Sequence, residues 1–442
     1  MSVTHPPLIT AIRDRAHRLG DSPRDFDPLL RMAQSRSLVL LGEATHGTHE
    51  FYSLRAQITR RLLEEGGFDA VVVEGDWPDV LQLNAFARDG AALTIDEAFT
   101  AFRRFPTWMW RNRPVHDFIA WLHERNQALA MADRAGFYGM DLYSLYGSAD
   151  AVSDYLESVD PDQARMARDL YRALDHVRDP QAYGYEAARG LRPSCRDAAA
   201  ALLTDMARRR SEYIAADGPA AIERQFEAER NACVVLNAET YYRSMFAGRT
   251  SSWNLRDSHM VNTIQALRRH LVATGRPGRL VVWAHNSHLG DARATEMASR
   301  GEWNVGQLLR EAAPGQALLV GFTTFTGHVT AARDWDLPAE RRWVRPARKD
   351  SCEHLFHRTG LDRFFLPLRD SVEDGLRDPL LERAIGVIYR PETELASHYF
   401  TTSLSAQFDA VFHLDETSAL EPLDASEHWT LHEPADTYPF GL

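Results

Sequence analysis

Short apolar runs that stop at polar or ionisable residues recur along this chain. Leu38 to Leu41 leads into Gly42, Glu43, Ala44, Thr45, His46 and Gly47, and Ala70 to Val73 leads into Glu74-Gly75-Asp76-Trp77-Pro78. Phe137 to Met140 ends in Asp141, and Leu280 to Ala284 ends in His285-Asn286-Ser287-His288. Ala317 to Phe322 ends in Thr323 and Thr324, Ile385 to Ile388 in Tyr389-Arg390, and Ala410 to Phe412 in His413 and Asp415. Runs of this length, bounded by glycine or polar residues, fit strands covered on both faces, as in a parallel sheet. If the strands are parallel, their polar endings converge on the carboxyl edge, where open α/β sheets build their sites.

Between the strand-like stretches the periodicity is helical. A lead-in over 1–36 reads as amphipathic helix, and a helix starts near Thr48 or His49 and continues through Leu63. Residues 151–275 contain no strand candidate. Helices are expected from Ala149 to Leu174, Cys195 to Ala215, Ala220 to Met245 and Asp257 to Ala273, with Asp257 or Ser258 as a cap and turns at 179–193 and 248–252. The resulting expectation is an α/β fold: a mostly parallel central sheet flanked by helices, with a large all-helical insert covering the carboxyl edge. The two halves of the α/β core are 1–150 and 276–442, with 151–275 as an insert or lid.

The length of 442 residues, 44% of them hydrophobic, is ample for a large core. Lys plus Arg total 50 against 62 Asp plus Glu, a formal charge of −12. That acidic balance argues against nucleic acid or an anionic membrane as partner. Three distant cysteines, Cys195, Cys233 and Cys352, with no CxxC, fit a reducing compartment. The start has no apolar core of a secretory signal, and no run approaches the ~20 apolar residues of a membrane span. The expectation is a cytoplasmic protein acting on a small molecule, with its oligomeric state open.

Candidate chemistry gathers at the strand ends. Glu43 and His46, three apart in a tight turn, can meet; a carboxylate beside an imidazole raises its basicity and fixes its tautomer, as a water-activating base requires. Glu74 ends its strand as Glu43 does, and adjacent strands lie ~4.8 Å apart, so the two carboxylates can share a proton, a cation or a histidine. Arg55, on the helix after His46, can reach back as a fixed positive charge or form a surface ion pair. His285 and His288 follow a strand as a second acid or base, or as donors to an oxyanion, with Asn286 and Asp291 orienting them. His49 reads equally as a helix-start residue or a site residue, and Asp76 as the cap of the next helix. Glu43, His46, Glu74 and His285 could instead ligate Mn²⁺ or Zn²⁺, although neither HxxH pair has a structural zinc spacing or is an HExxH motif. Metal-free acid–base chemistry is favoured, with no cofactor. No GxSxG elbow, P-loop or GxGxxG is present. Phe105-Pro106-Thr107-Trp108-Met109-Trp110 and Tyr241-Tyr242 read as core, or as walls of an apolar cleft for a bulky ligand.

Together, GEATHGTHEFYSLR (42–55), VVVEGDWP (71–78), SSWNLRDSHMVNTI (251–264), VVWAHNSHLGDARATEM (281–297), NVGQLLRE (304–311) and the ETELASHYF and QFDAVFHLDET segments resemble the erythromycin esterase family, from about residue 37 to 423. The resemblance implies an α/β sheet topped by helices with a cleft between them. It also implies ester or lactone hydrolysis by water attack, without a serine nucleophile or a required metal. By resemblance, the base falls on His46, its supporting carboxylates on Glu43 and Glu74, the family's arginine on Arg55 and its second histidine on His285. His288 then stands beside the reaction rather than in it. A metal-dependent hydrolase and a non-catalytic binding protein remain the alternatives.

Overall fold

The structure, a computed structural model, describes residues 6–20, 22–89, 93–175, 179–217, 221–246, 249–368, 374–425 and 429. Among the described residues eleven strands are formed: β1 (His17–Arg18), β2 (Leu38–Leu41), β3 (Ala70–Asp76), β4 (Gly136–Asp141), β5 (Leu280–Trp283), β6 (Ala317–Ala331), β7 (Glu340–Val344), β8 (Arg363–Pro367), β9 (Leu380–Arg383), β10 (Tyr399–Thr402) and β11 (Ala410–Thr417). Nine of them make one sheet in the order β1-β8-β11-β6-β2-β5-β3-β4, with β7 paired to β6. The run from β11 to β4 is parallel, whereas β8, β1 and β7 add antiparallel pairs at one side.

The central strands are buried on both faces, and the period-two alternation of side chains divides their residues between two cores. Val39, Leu41, Val71, Val73, Val281 and Trp283 pack with Phe51, Leu54, Ile58 and Leu62 of the helix His49–Glu64 and with Phe118 and Leu122 of the helix Arg113–Gln127. Leu38, Leu40, Ala70, Val72, Leu280 and Val282 pack on the other face with Met260, Ile264 and Leu267 of the helix Arg249–Ala273 and with Val305 and Leu309. From residue 145 to 273 the described chain is helical, and Leu145, Val152, Tyr183, Met206, Val235 and Tyr242 anchor a separate apolar cluster there. No helix among the described residues is long and apolar enough to cross a membrane.

Several local expectations are corrected. The lead-in is interrupted by β1, which adds to the sheet edge by pairing with β8. The helix expected over 149–174 is two helices, Leu145–Val159 and Pro161–Asp175, because Pro161 restarts the chain as a first-turn residue. The expected 195–215 helix likewise divides into Arg196–Arg208 and Arg210–Asp217. Residue 248 of the expected turn lies outside the described residues, as does Ala220; from Arg249 onward the chain is already helical. Asp257 therefore lies inside that helix and does not cap it; its Oδ1 instead accepts the N–H of Val305, at the start of the helix Val305–Ala312, at 3.1 Å. β6 runs through Thr323 and Thr324 to Ala331, and β11 runs to Thr417. Hydroxyl and imidazole side chains there bond across the sheet, as Thr323 Oγ1 does with His413 Nδ1 at 2.9 Å. Finally, Ile385–Ile388 is not a sheet strand. Ile385 makes a single parallel bridge to Thr45, and Ile388 one to Ala332.

Candidate active site

Four neighbouring strands, β2, β5, β3 and β4, deliver Glu43, His285, Glu74 and Asp141 to one edge. The turn after β2 is held by backbone bonds on every side. Gly42 N–H donates to Val320 O at 2.8 Å, Asn286 N–H to Glu43 O at 2.8 Å, Ile385 N–H to Ala44 O at 2.8 Å, and His46 N–H to Ile385 O at 3.3 Å. Gly47 O accepts Thr330 N–H at 2.9 Å and Leu420 N–H at 2.8 Å. This close approach leaves no room for a side chain: a Cβ on Gly47 would overlap the Thr330 carbonyl. Gly47→Ala is therefore expected to cost roughly 1–3 kcal/mol through overpacking. It should also lower turnover by displacing His46, as checked by thermal unfolding and ester hydrolysis.

Within the turn, Glu43 is 0% exposed and His46 is 8% exposed. His46 Nδ1 donates to Glu43 Oε1 at 2.9 Å, and Arg55 Nη2 donates to Glu43 Oε2 at 2.5 Å. Because a carboxylate only accepts, Nδ1 carries the proton and Nε2 presents its lone pair. Among the described residues, no hydrogen bond occupies Nε2. Arg55 is 0% exposed, with its guanidinium carbon 4.4 Å from the Tyr52 ring centre and 5.3 Å from that of Trp283. Its charge thus reaches the site through Glu43.

A second set surrounds Glu74. Glu74 Oε2 accepts His285 N–H at 2.9 Å, and Oε1 accepts Arg256 Nη2 at 2.7 Å. Burial opposes ionisation, but His288, Arg256 and His46 together outweigh it and hold the Glu74 carboxyl far below the usual carboxylate range. Arg256 also grips Asp141 bidentately, Nε to Oδ1 at 2.9 Å and Nη2 to Oδ2 at 2.6 Å. Its guanidinium carbon lies 4.9 Å from the Tyr143 ring centre. His288 Nδ1 donates to Asp257 at 2.9 Å and 3.0 Å, and its Nε2 lies 3.4 Å from Glu74 Oε1 and 3.1 Å from Arg256 Nη1. The imidazole stacks on Trp253 at 4.5 Å. Burial disfavours the imidazolium, yet Asp257 and Glu74 raise its pKa overall.

His285 lies next to His46, with ring centres 4.9 Å apart. Its Nδ1 accepts Ser287 N–H at 3.2 Å and lies 2.8 Å from Ser287 Oγ, so the proton is on Nε2, which donates to Ala44 O at 3.2 Å. Burial, reinforced by His46, lowers the His285 pKa to about 3, and the ring is neutral.

The remaining expected residues are placed elsewhere. Asn286 does not orient an imidazole; its side chain braces β6 through Phe322 O at 2.8 Å and reaches Glu382 Oε1 at 3.0 Å. Asp291 binds Arg293 at 2.6 Å and caps a short helical turn. Asp76 is the last residue of β3, where its Oδ1 accepts Ser144 N–H at 3.0 Å and its Oδ2 pairs with Arg104. His49 is half-buried at the helix start, 3.1 Å from Ser53 Oγ. Arg256 and Asp257 were missed as site residues. Their signal was an Arg-Asp pair in a helix that must lie over the strand ends, together with Asp141 ending β4 without a cation.

The fold and site define an α/β enzyme with a carboxylate-bound imidazole at the carboxyl edge, beside buried arginine–carboxylate pairs. The model of the family described as erythromycin esterase matches residues 63–417. The chain belongs to that family and is an ester-bond hydrolase acting on a small-molecule substrate. The matched span begins after the His46 turn. The chain is 22% identical to erythromycin esterase type II of Escherichia coli over 423 residues, covering 91% of this chain and 94% of that protein. A putative hydrolase, YbfO, of Bacillus subtilis (strain 168) matches over 148 residues at 23% identity, covering 33% of this chain and 31% of that protein. In fold, the chain is similar to a protein from Bacillus cereus (TM-score 0.77, 19% identical, 94% of this chain and 98% of that one). It is also similar to an erythromycin esterase mutant, EreC, in its open conformation (TM-score 0.64, 17% identical, 93% and 99%).

Proposed function

We propose that the protein hydrolyses an ester or lactone by direct attack of a water that His46 deprotonates, without a serine nucleophile. The observation that carries this reading is the Nε2 of His46, which makes no hydrogen bond among the described residues while Nδ1–H is held by Glu43 at 2.9 Å. Glu43 fixes the tautomer and stabilises the imidazolium that forms, and Arg55 fixes Glu43. Nε2 takes the proton as the water oxygen bonds to the carbonyl carbon. His285 Nε2–H, on a long bond to Ala44 O, is the donor we assign to the developing oxyanion. When the tetrahedral intermediate collapses, the imidazolium returns its proton to the departing alkoxide. Glu74, locked by Arg256 and the His285 N–H, holds negative charge near the imidazolium.

The donor set supports chemistry without a metal. Both carboxylates are tied to arginines, and among the described residues no three His, Cys, Asp or Glu groups are placed to hold one ion. The helical span 151–275 is the part of the chain we assign to setting substrate size, in keeping with a bulky, apolar ligand.

The test is a panel of macrolides, lactones and simple esters, run in ¹⁸O-water before and after exhaustive dialysis against a chelator. The expected result is turnover unchanged by chelation, with one ¹⁸O in the acid product under single-turnover conditions and no acyl-enzyme by mass spectrometry. Trapping an acyl-enzyme, or loss of turnover on chelation that added Zn²⁺ or Mn²⁺ restores, overturns the reading.

A further inference from the structure

Beneath the catalytic turn lies a pair of buried carboxyl groups that the mechanism above does not use. Glu382 in β9 and Glu353 in the helix Cys352–His357 are both 0% exposed. Glu382 Oε1 accepts Asn286 Nδ2 at 3.0 Å, and Glu353 Oε1 accepts the Arg383 N–H at 2.8 Å. The Oε2 atom of each is buried with no partner among the described residues. No cation among the described residues forms an ion pair with either group. Arg383, the neighbouring cation, instead directs its guanidinium to Arg345 O at 2.6 Å, Thr324 O at 2.7 Å and Phe325 O at 2.8 Å, and toward Glu394 at 3.3 Å. The other titratable groups facing the pair are Cys352 and, toward Glu353, Tyr399 and His413; burial pushes the Cys352 thiol and the Tyr399 hydroxyl well above their usual ranges and the His413 imidazole below its own, so all three are neutral at pH 7. Gln407, from the adjacent short helix, adds an uncharged bond to Glu382. Arg383 acts on Glu353 electrostatically without an ion pair. Glu382 has no such cation among the described residues, and desolvation together with repulsion from a second carboxylate favours binding a proton there.

The bonds around Glu382 lead straight to the histidine turn. Asn286, which Glu382 holds, donates its own N–H to Glu43 O at 2.8 Å, and its side chain packs so closely on Gly42 that a Cβ there would overlap it. Two residues beyond β9, Ile385 clasps the turn on its other side through Ala44 O and His46 N–H. We infer that Glu382 is a positioning residue for the His46 turn, and that the Glu353–Glu382 pair carries a single proton, held on Glu382, so that a neutral acid braces the site. The inference rests on the reading of that turn as catalytic. Burial, and secondarily Glu353, raise the Glu382 pKa from 4.5 to about 8. The sign follows from linkage. A carboxyl whose pKa is higher in the folded state adds stability at low pH, and this is lost progressively as pH rises from the unfolded value to the folded one.

The experiment compares wild type with Glu382→Gln, whose amide mimics the neutral acid, and with Glu353→Gln, by thermal unfolding from pH 5 to 10 and by amide exchange at matched pH. Glu382→Gln is expected to match wild type at pH 5 and to become progressively more stable than it up to about pH 8, with a constant difference above. In wild type, the amides of His46, Asn286 and Ile385 should lose about tenfold in protection between pH 7 and 9.5, beyond the intrinsic rate change. They should lose none in Glu382→Gln. Glu353→Gln should move the wild-type breakpoint to lower pH. Parallel stability profiles for wild type and Glu382→Gln overturn the inference, as does loosening of those amides in Glu382→Gln at pH 7. Neither readout uses turnover, so failure of the His46 base assignment is registered separately, by an active His46→Ala variant.

Discussion

His46→Ala is expected to cut ester turnover by roughly 10²–10⁴-fold, the usual contribution of a positioned general base. The loss should fall on kcat with KM nearly unchanged, because the imidazole acts on the water and the proton rather than on the substrate's binding groups. Stability should change little. His46 is near the surface of the site, and Glu43 keeps its bond to Arg55 at 2.5 Å when the imidazole is removed. The buried carboxylate is therefore never left without a cation. Part of the lost rate should return on adding free imidazole, which fits the space vacated. A folded His46→Ala protein with wild-type kcat removes the base assignment, and an unfolded one is recognised by its melting curve before any rate is read.

The second large effect is on stability. Arg256→Leu should cost about 3–5 kcal/mol, the range seen when one partner of a buried ion pair is deleted. The reason is specific: one guanidinium serves Asp141 at 2.6 Å and Glu74 at 2.7 Å, and both carboxylates are buried. Arg256→Lys should recover only part of this, since an ammonium cannot reproduce the bidentate grip on Asp141 while still reaching Glu74. The pH dependence has a definite sign. With its folded pKa depressed, Glu74 contributes stability that is present above the unfolded value and is lost as pH falls through the folded one. The gap between wild type and Arg256→Leu should therefore be widest at neutral pH and narrow in acid. Urea unfolding at pH 7 and pH 4 checks this; an equal gap at both values contradicts the proposed role of Arg256.

Much of the site could be read from the chain because the sheet is parallel. In such a sheet every strand's carboxyl end lies on one edge, so an apolar run that stops at Glu43, Glu74, Asp141 or His285 already says where that side chain goes. The same logic failed where the run was apolar for another reason. Ile385–Ile388 is buried as a brace for the Ala44–His46 turn and as a neighbour of Ala332, and a periodicity argument cannot tell a brace from a strand. Thr323 and His413 looked like strand endings because polarity marked them, yet β-branched and aromatic side chains suit a strand interior when they find partners across the sheet. Arg256 and Asp257 were hidden for a different reason. On a helix, a buried charge and a surface charge have the same spacing, and Asp257 passed for a cap until the helix was seen to begin at Arg249.

From its own order of residues, this chain determined the mostly parallel α/β sheet, the edge that gathers the strand-end carboxylates and histidines, and the Glu43–His46 pair, because alternation, turn chemistry and short separations are local properties. Tertiary structure alone decided which cation serves which carboxylate. Arg55 was assigned to Glu43, Arg256 to Glu74 and Asp141, and, among the described residues, no cation to Glu382. Those pairings depend on contacts between segments far apart in the chain, and on the burial that makes an unpaired charge too costly to keep.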